Sequence, residues 1–166
     1  AALNEPGEVD GMLRAAARKL VELVGAFGAI ARSVDDDGLL TDELVVLDGF
    51  RGAAAPTLGA PTPGAPTVDE RVGADVSICS ALAAGYTMDD CATHQVIRVP
   101  LRYRNRPAGS IDLFLEHPLN NESDVVPLFE SVGKHLGMAV EKSRLDVQAH
   151  KLLMGRERTA LAHELH

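Results

Sequence analysis

The sequence predicts an α+β domain: an antiparallel sheet flanked by helices and continued by a long C-terminal helix. Three observations predict it. Apolar residues recur at helical spacing near both ends, they alternate in the middle as in paired strands, and turn-forming clusters separate the pieces. With 166 residues and 46% hydrophobic content, the chain has enough apolar material for about one packed domain. Only 4% of the residues are aromatic and none is Trp, so the core must be aliphatic, built from Ala, Val and Leu.

Charge narrows the partners. The formal net charge is -8, and nucleic-acid affinity comes largely from clustered Lys and Arg, so nucleic acid is excluded as the principal partner. The run KLVELVGAFGAIA (Lys19 to Ala31) contains Glu22 and falls short of the ~18 apolar residues of a membrane span. The opening Ala1-Ala2-Leu3-Asn4 has neither an initiator Met nor a basic-then-apolar leader, and reads as a piece of something larger. Two cysteines, Cys79 and Cys91, do not make a disulfide scaffold, so the expected compartment is the reducing cytoplasm.

Residues 8 to 26 form the first expected helix. Met12, Leu13, Ala16, Leu20, Leu23 and Val24 recur three and four apart, and Gly25 and Gly28 close the pattern. Phe27 to Val34 reads as a strand, Asp35-Asp36-Asp37-Gly38 as a turn, and the β-branched stretch Glu43 to Phe50 as an antiparallel second strand. The six acidic residues between Asp35 and Asp48 read as a solvated hairpin. Gly52 to Pro66 has four Pro and three Gly in fifteen residues, which predicts a long irregular loop that neither pairs in a sheet nor holds a helix. Val76 to Ala84 reads as a short helix stopped by Gly85, followed by a brief strand or turn.

The alternation is clearest between Gln95 and Glu116. Ile97, Val99, Leu101 and Tyr103 alternate with Arg98, Pro100, Arg102 and Arg104. The pattern resumes as Ile111, Leu113 and Leu115 against Ser110, Asp112 and Glu116. This predicts a hairpin with one buried face. From Glu122 onward the period becomes helical. Val125, Phe129, Val132, Leu136 and Ala139 make a stripe that Asn121 or Ser123 can cap, and Leu145 and Leu152 extend it seven apart with Ala149 between. A helix of some forty residues that outlasts its domain predicts a partner helix, hence a parallel coiled coil, although Lys142 and Arg156 fall near core positions. The expected organisation is one domain over 1–146 and a projecting helix over 147–166.

The order of elements from residue 8 to about 146 resembles a GAF domain. VPLRYRNRPAGSIDLFL looks like the hairpin of that family, and FESVGKHLGMAVEKSRL resembles the helix that leaves it. The final RERTALAHELH is similar to the phospho-acceptor box of the nitrate/nitrite-sensor branch of histidine kinases. Glu157, Arg158, Leu161, Ala162, Glu164, Leu165 and His166 fit, and His163 departs at a variable site. The resemblance implies that 1–146 is a GAF-like sensor domain and 147–166 a signalling helix opening a dimerisation and histidine phosphotransfer domain. It also implies that His166 is phosphorylated from ATP, that a response regulator is the partner of the full-length kinase, and that this stretch, without the ATP-binding domain, is itself inactive. An imidazole nitrogen exposed on a helix is a competent nucleophile near neutral pH. His117, His135 and His150 read as structural or surface residues.

A GAF-like pocket would lie on one side of the sheet beneath Val76 to Gln95, a cover that contains Cys79, Cys91 and His94. A small-molecule ligand is the expectation there, but neither ligand nor cofactor is legible. The nucleotide-binding constellation of the family is not visible, and the aromatic content is thin for a bilin or a haem on His94. The alternative is a thiol-redox or metal-binding switch centred on Cys79, Cys91 and His94, against which the plain reading is two packed thiols. A further alternative is a GAF-like domain that serves only dimerisation and relay. The expected partner is a second copy, held through the exit helix and the first helix.

Overall fold

The two regular alternating segments pair with each other, and both faces of the sheet they build are covered. The computed structural model describes residues 6–34, 40–49, 57–58, 73, 75–81, 83–87, 94–120 and 122–164. In chain order the elements are α1 (Pro6–Val24), β1 (Gly28–Val34), β2 (Leu40–Gly49), β3 (Thr57–Leu58), β4 (Ser77–Ser80), β5 (Tyr86–Thr87), β6 (Gln95–Tyr103), β7 (Arg106–Leu115) and α2 (Glu122–Glu164). Five strands form an antiparallel sheet in the order β2-β1-β7-β6-β4, and β3 pairs with β5 apart from it. This is the α+β arrangement expected, with helices on one face and a long helix leaving the sheet.

Period two decides which residue goes where. On the helix-bearing face, Ala29 and Ala31 of β1, Ile97, Val99 and Leu101 of β6, and Ile111, Leu113 and Leu115 of β7 form one core. Leu13, Ala17 and Leu20 of α1, three and four apart, close over it, as do Val125, Phe129 and Leu136 of α2. Burying a side chain such as Phe129 contributes about 1.5–3 kcal/mol, and this stripe supplies several. Glu122 and Asp124 in the first turn of α2 complement the positive end of its dipole.

One edge of the sheet is finished by helix instead of strand. β4 accompanies β6 only from Gln95 to Arg98, so among the described residues the outer edge of β6 beyond that point has no strand neighbour. There α2 lays Gly133 against the Pro100 carbonyl and Gly137 against the backbone of Arg102. A Cβ at either glycine would overlap those backbone atoms. Pro100, which has no N–H to leave unpaired, suits that edge.

Three expectations are corrected. Val76 to Ala84 is not a helix: Ser77–Ser80 is a strand paired with β6, because a free sheet edge gave its backbone a ladder of hydrogen bonds. Only one helical turn survives, in which the Ala84 N–H donates to the Ser80 carbonyl (3.0 Å) and the Ala83 N–H to Ser80 Oγ (3.1 Å). The Pro/Gly-rich stretch does pair, since Thr57 and Leu58 stand opposite Thr87 and Tyr86. The rest of Gly52 to Pro66 lies outside the described residues, as does the Asp35 to Gly38 turn. Finally, the β6–β7 hairpin is buried on both faces, Arg98, Ser110 and Asp112 included.

The glycine contacts give a paired prediction. Gly137→Ala should destabilise the fold by roughly 1–3 kcal/mol, because backbone must move to admit the methyl, despite the better helix propensity of Ala. Gly11→Ala, on an exposed stretch of α1 where a Cβ meets nothing within 4 Å, should stabilise by up to about 1 kcal/mol. Thermal melts of the two variants should shift in opposite directions.

Candidate functional site

The face of the sheet opposite the helices has a different chemistry. Ile30, Val96 and Phe114 from the sheet meet Ala81, Ala84 and Tyr86 from the turn after β4, with Phe27 and Cys79 at the margin. Half of the chain's six Phe and Tyr residues are in this small cluster. The Tyr86 and Phe114 rings meet edge-on at 5.0 Å, Phe27 lies 6.1 Å from Phe114, and the His94 ring lies 5.1 Å from Phe27.

At its centre is a buried polar group. Arg98 and Asp112 are register partners on β6 and β7, 2% and 0% exposed. Arg98 Nε donates to Asp112 Oδ1 (2.9 Å) and Nη2 to Oδ2 (2.8 Å), a bidentate pair. Arg98 Nη2 also donates to the Ala84 carbonyl (2.9 Å), and the Tyr86 hydroxyl donates to Asp112 Oδ2. One ion pair therefore ties the β4–β5 turn down onto the sheet. The Arg98 guanidinium lies 5.9 Å from the Tyr86 ring centroid, and that of buried Arg32 lies 5.7 Å from it.

Electrostatics follow the burial. Desolvation, then the Asp112 charge and hydrogen bond, hold the Tyr86 phenol far above its ordinary range. Burial alone would lower the pKa of Arg98, but the Asp112 charge and hydrogen bonds outweigh it and keep the guanidinium firmly protonated. Both Asp112 oxygens are engaged, which leaves that carboxylate poorly placed to act as a general base. Ser110 Oγ, buried on the same face, has no hydrogen-bond partner among the described residues.

The expected ligand residues can now be placed. Cys79 lies on β4 opposite Val96, half-buried against the cluster. His94 immediately precedes β6; its carbonyl accepts the Ala81 N–H (2.9 Å) and its ring lies tilted by 58° against that of Phe27. The structure thus brings Cys79 and His94 to the same corner of the sheet. Cys91 lies outside the described residues, and so does His166, two positions beyond the last described residue of α2. Burial pushes the Cys79 thiol up, with Arg98 opposing and Asp112 adding, which favours a packed thiol over the activated thiolate a redox switch needs. Among the described residues no three His, Cys, Asp or Glu side chains gather where a metal ion could be held.

No protein-family model and no curated protein matches the sequence. Solved structures do match its shape. The type II free methionine-R-sulfoxide reductase of Thermoplasma acidophilum aligns over 82% of this chain and 95% of its own, with TM-score 0.61 and 16% identity. The PixJ GAF domain of Thermosynechococcus elongatus, in its blue-light absorbing form, aligns over 93% and 98%, with TM-score 0.60 and 14% identity. The second GAF domain of DevS from Mycobacterium smegmatis aligns over 87% and 99%, with TM-score 0.57 and 14% identity. The chain has a GAF fold. Among the described residues no helix is long and apolar enough to cross a membrane.

The site residues that sequence reasoning missed are Arg98, Asp112 and Tyr86. The sequence hid the pair, because counting back from the Arg104-Asn105 turn sets Arg98 opposite Ile111, and only the register shift between Leu101 and Arg102 brings it opposite Asp112, where opposite charges attract across the hairpin. Removing one member strands the other: Asp112→Ala should cost roughly 3–5 kcal/mol, while the double change Arg98→Met with Asp112→Leu should recover most of it. Urea unfolding of the three proteins tests this. A second measurement concerns the thiol. In a Cys91→Ser background, Cys79 alkylation should be slow at neutral pH and accelerate only above the ordinary thiol range, because its raised pKa keeps it protonated there.

Proposed function

We propose that this chain is the cytoplasmic sensory module of a two-component histidine kinase, in which α2 passes the state of the sheet to the phospho-acceptor His166. The observation that carries the reading is the continuity of α2. One helix of 43 residues begins packed on the sheet and runs, without interruption, into RERTALAHELH. At 1.5 Å per residue it extends for about 65 Å, far beyond the domain it leaves. In the full-length kinase an imidazole nitrogen of His166 attacks the γ-phosphorus of ATP, the bond to the β-phosphate oxygen breaks, ADP leaves, and the imidazole N–H proton is lost to solvent. A response regulator then takes the phosphoryl group.

The likeness to GAF domains, one of them solved in a blue-light absorbing form, supports a sensory role, although fold alone does not select the signal. A small-molecule ligand would meet the sheet on the face of Tyr86, Arg98 and Asp112, where a single ion pair holds the cover. The burial of Cys79 supports this ligand reading over a thiol switch.

In the full-length kinase, His166→Gln should abolish autophosphorylation while leaving the sensor fold intact, and His163→Gln should retain it. Label from radioactive ATP on the first variant and not on the second would show that the acceptor box has been aligned wrongly.

A further inference from the structure

Two elements have a claim on the same stretch of β6. β4 pairs with it from Ser80 opposite Gln95 to Ser77 opposite Arg98, and then leaves it. Continued at that register, Val76 would stand opposite Val99, Asp75 opposite Pro100 and Gly73 opposite Arg102. Instead α2 is there. The atoms nearest to where a Cβ would stand on Gly133 and Gly137 are the Pro100 oxygen and the oxygen, carbon and nitrogen of Arg102. In an antiparallel ladder every second residue turns its N–H and C=O to the same neighbour. Pro100 and Arg102, in phase with Arg98, turn theirs to α2, and through the same groups β6 would pair with a longer β4. One strip of backbone therefore has two possible covers, and each excludes the other.

The segment before β4 is held close to the strip it has left. Arg102 Nη1 donates to the Gly73 carbonyl (2.8 Å), and Nη2 donates to the Asn105 carbonyl (2.8 Å). The Arg102 side chain thus takes the carbonyl that its own N–H would take in a longer ladder. Gly73 is in the left-handed region (φ 69°), and glycine passes from there to extended backbone without steric cost. Val76 and Ile78 already pack on the main core. Neither cover is complete. α2 offers the strip glycine C–H groups, weaker partners than N–H donors, with Phe129 and Leu136 packed beside them. A longer β4 offers a ladder, but Pro100 removes one of its donors and so weights the balance toward the helix.

We propose that β4 and α2 exchange on this strip. When α2 lifts from Pro100 and Arg102, Val76, Asp75 and Gly73 pair with Val99, Pro100 and Arg102; when α2 returns, they peel away. β4 leads directly into the turn that carries Ala81, Ala84 and Tyr86, so the cover of the polar face and the seat of the exit helix are tied through one edge. The exchange rests on the reading of α2 as a relay for its purpose, and it names the element that trades places with the helix.

Nuclear magnetic resonance of the 166-residue chain tests it, with two variants that push from opposite partners. Gly137→Ala spoils the fit of α2. Pro100→Val changes no residue of α2; it restores the N–H that a longer β4 needs and sets that donor against mid-helix backbone whose carbonyls are already engaged. In the unsubstituted chain the Hα protons of Val76 and Val99 should show no mutual Overhauser contact. In both variants the contact should appear, and the amides around Gly133 and Gly137 should exchange faster. The Asp75 amide should exchange more slowly, by roughly two-fold or more once the paired state holds half of the molecules. Either variant folding without the Val76–Val99 contact, or with unchanged or faster exchange at Asp75, overturns the proposal. So does that contact in the unsubstituted chain with α2 still seated, since the two covers would then not exclude each other. If Gly137→Ala does not fold, Pro100→Val decides alone. Neither ATP nor a response regulator enters the measurement, so failure here is distinguishable from failure of the kinase reading at His166.

Discussion

The structure turns on the Arg98–Asp112 pair. Two charges at 2% and 0% exposure are costly to take out of water, and only near-complete hydrogen bonding makes them tolerable. That requirement dictates what surrounds them. β6 and β7 must be in register for the bidentate contact, the Ala84 carbonyl must reach Arg98, and the Tyr86 hydroxyl must reach Asp112. The turn after β4 is therefore fixed by polar geometry as well as by apolar burial. A face that would otherwise be a bare, half-apolar sheet acquires a defined cover.

β6 connects this pair to the exit helix, because its three aspects do three different things. One face carries Arg98, the other carries Ile97, Val99 and Leu101 into the main core, and the free edge beyond Arg98 carries α2. The edge contact is backbone to backbone. Side chains can repack around a small displacement, but two backbones in contact through Gly133 and Gly137 have no such slack.

Much of this was legible in the sequence, for a physical reason. The elements that were read well are those whose burial is periodic. α1 and the first half of α2 each bury one face, and in the β6–β7 hairpin one phase of the alternation is wholly apolar, so the period shows which residues enter the main core. β4 was not legible, because Ser77 to Ser80 is too short to declare a period and the Ala-rich turn after it favours helix by propensity. Its strand character comes from the free edge of β6, a tertiary fact. The polar cluster was hidden for a related reason. Arg98 and Asp112 sit on the polar phase of the alternation, which reads as solvent-facing until a distant turn is known to cover it. Tyr86, 26 residues from its carboxylate, offers no local sign at all. Cys79 and His94 were singled out by residue type, and the structure does set them at one corner of the sheet, yet what that corner chiefly offers them is aromatic and aliphatic packing.

A helix that is half anchored and half free has a mechanical consequence. The first half of α2 is held by Phe129, Leu136 and the glycine contacts, so its azimuth and tilt are set by the sheet. From Gln148 to Arg156 every side chain of the second half is exposed. Between the two there is no proline, and the only proline of the helix, Pro127, lies near its start. Bending an α-helix sharply requires a proline, a π-bulge or an inserted group, none of which interrupts this span. No hinge therefore separates the part of α2 anchored on the sheet from the part that runs beyond it.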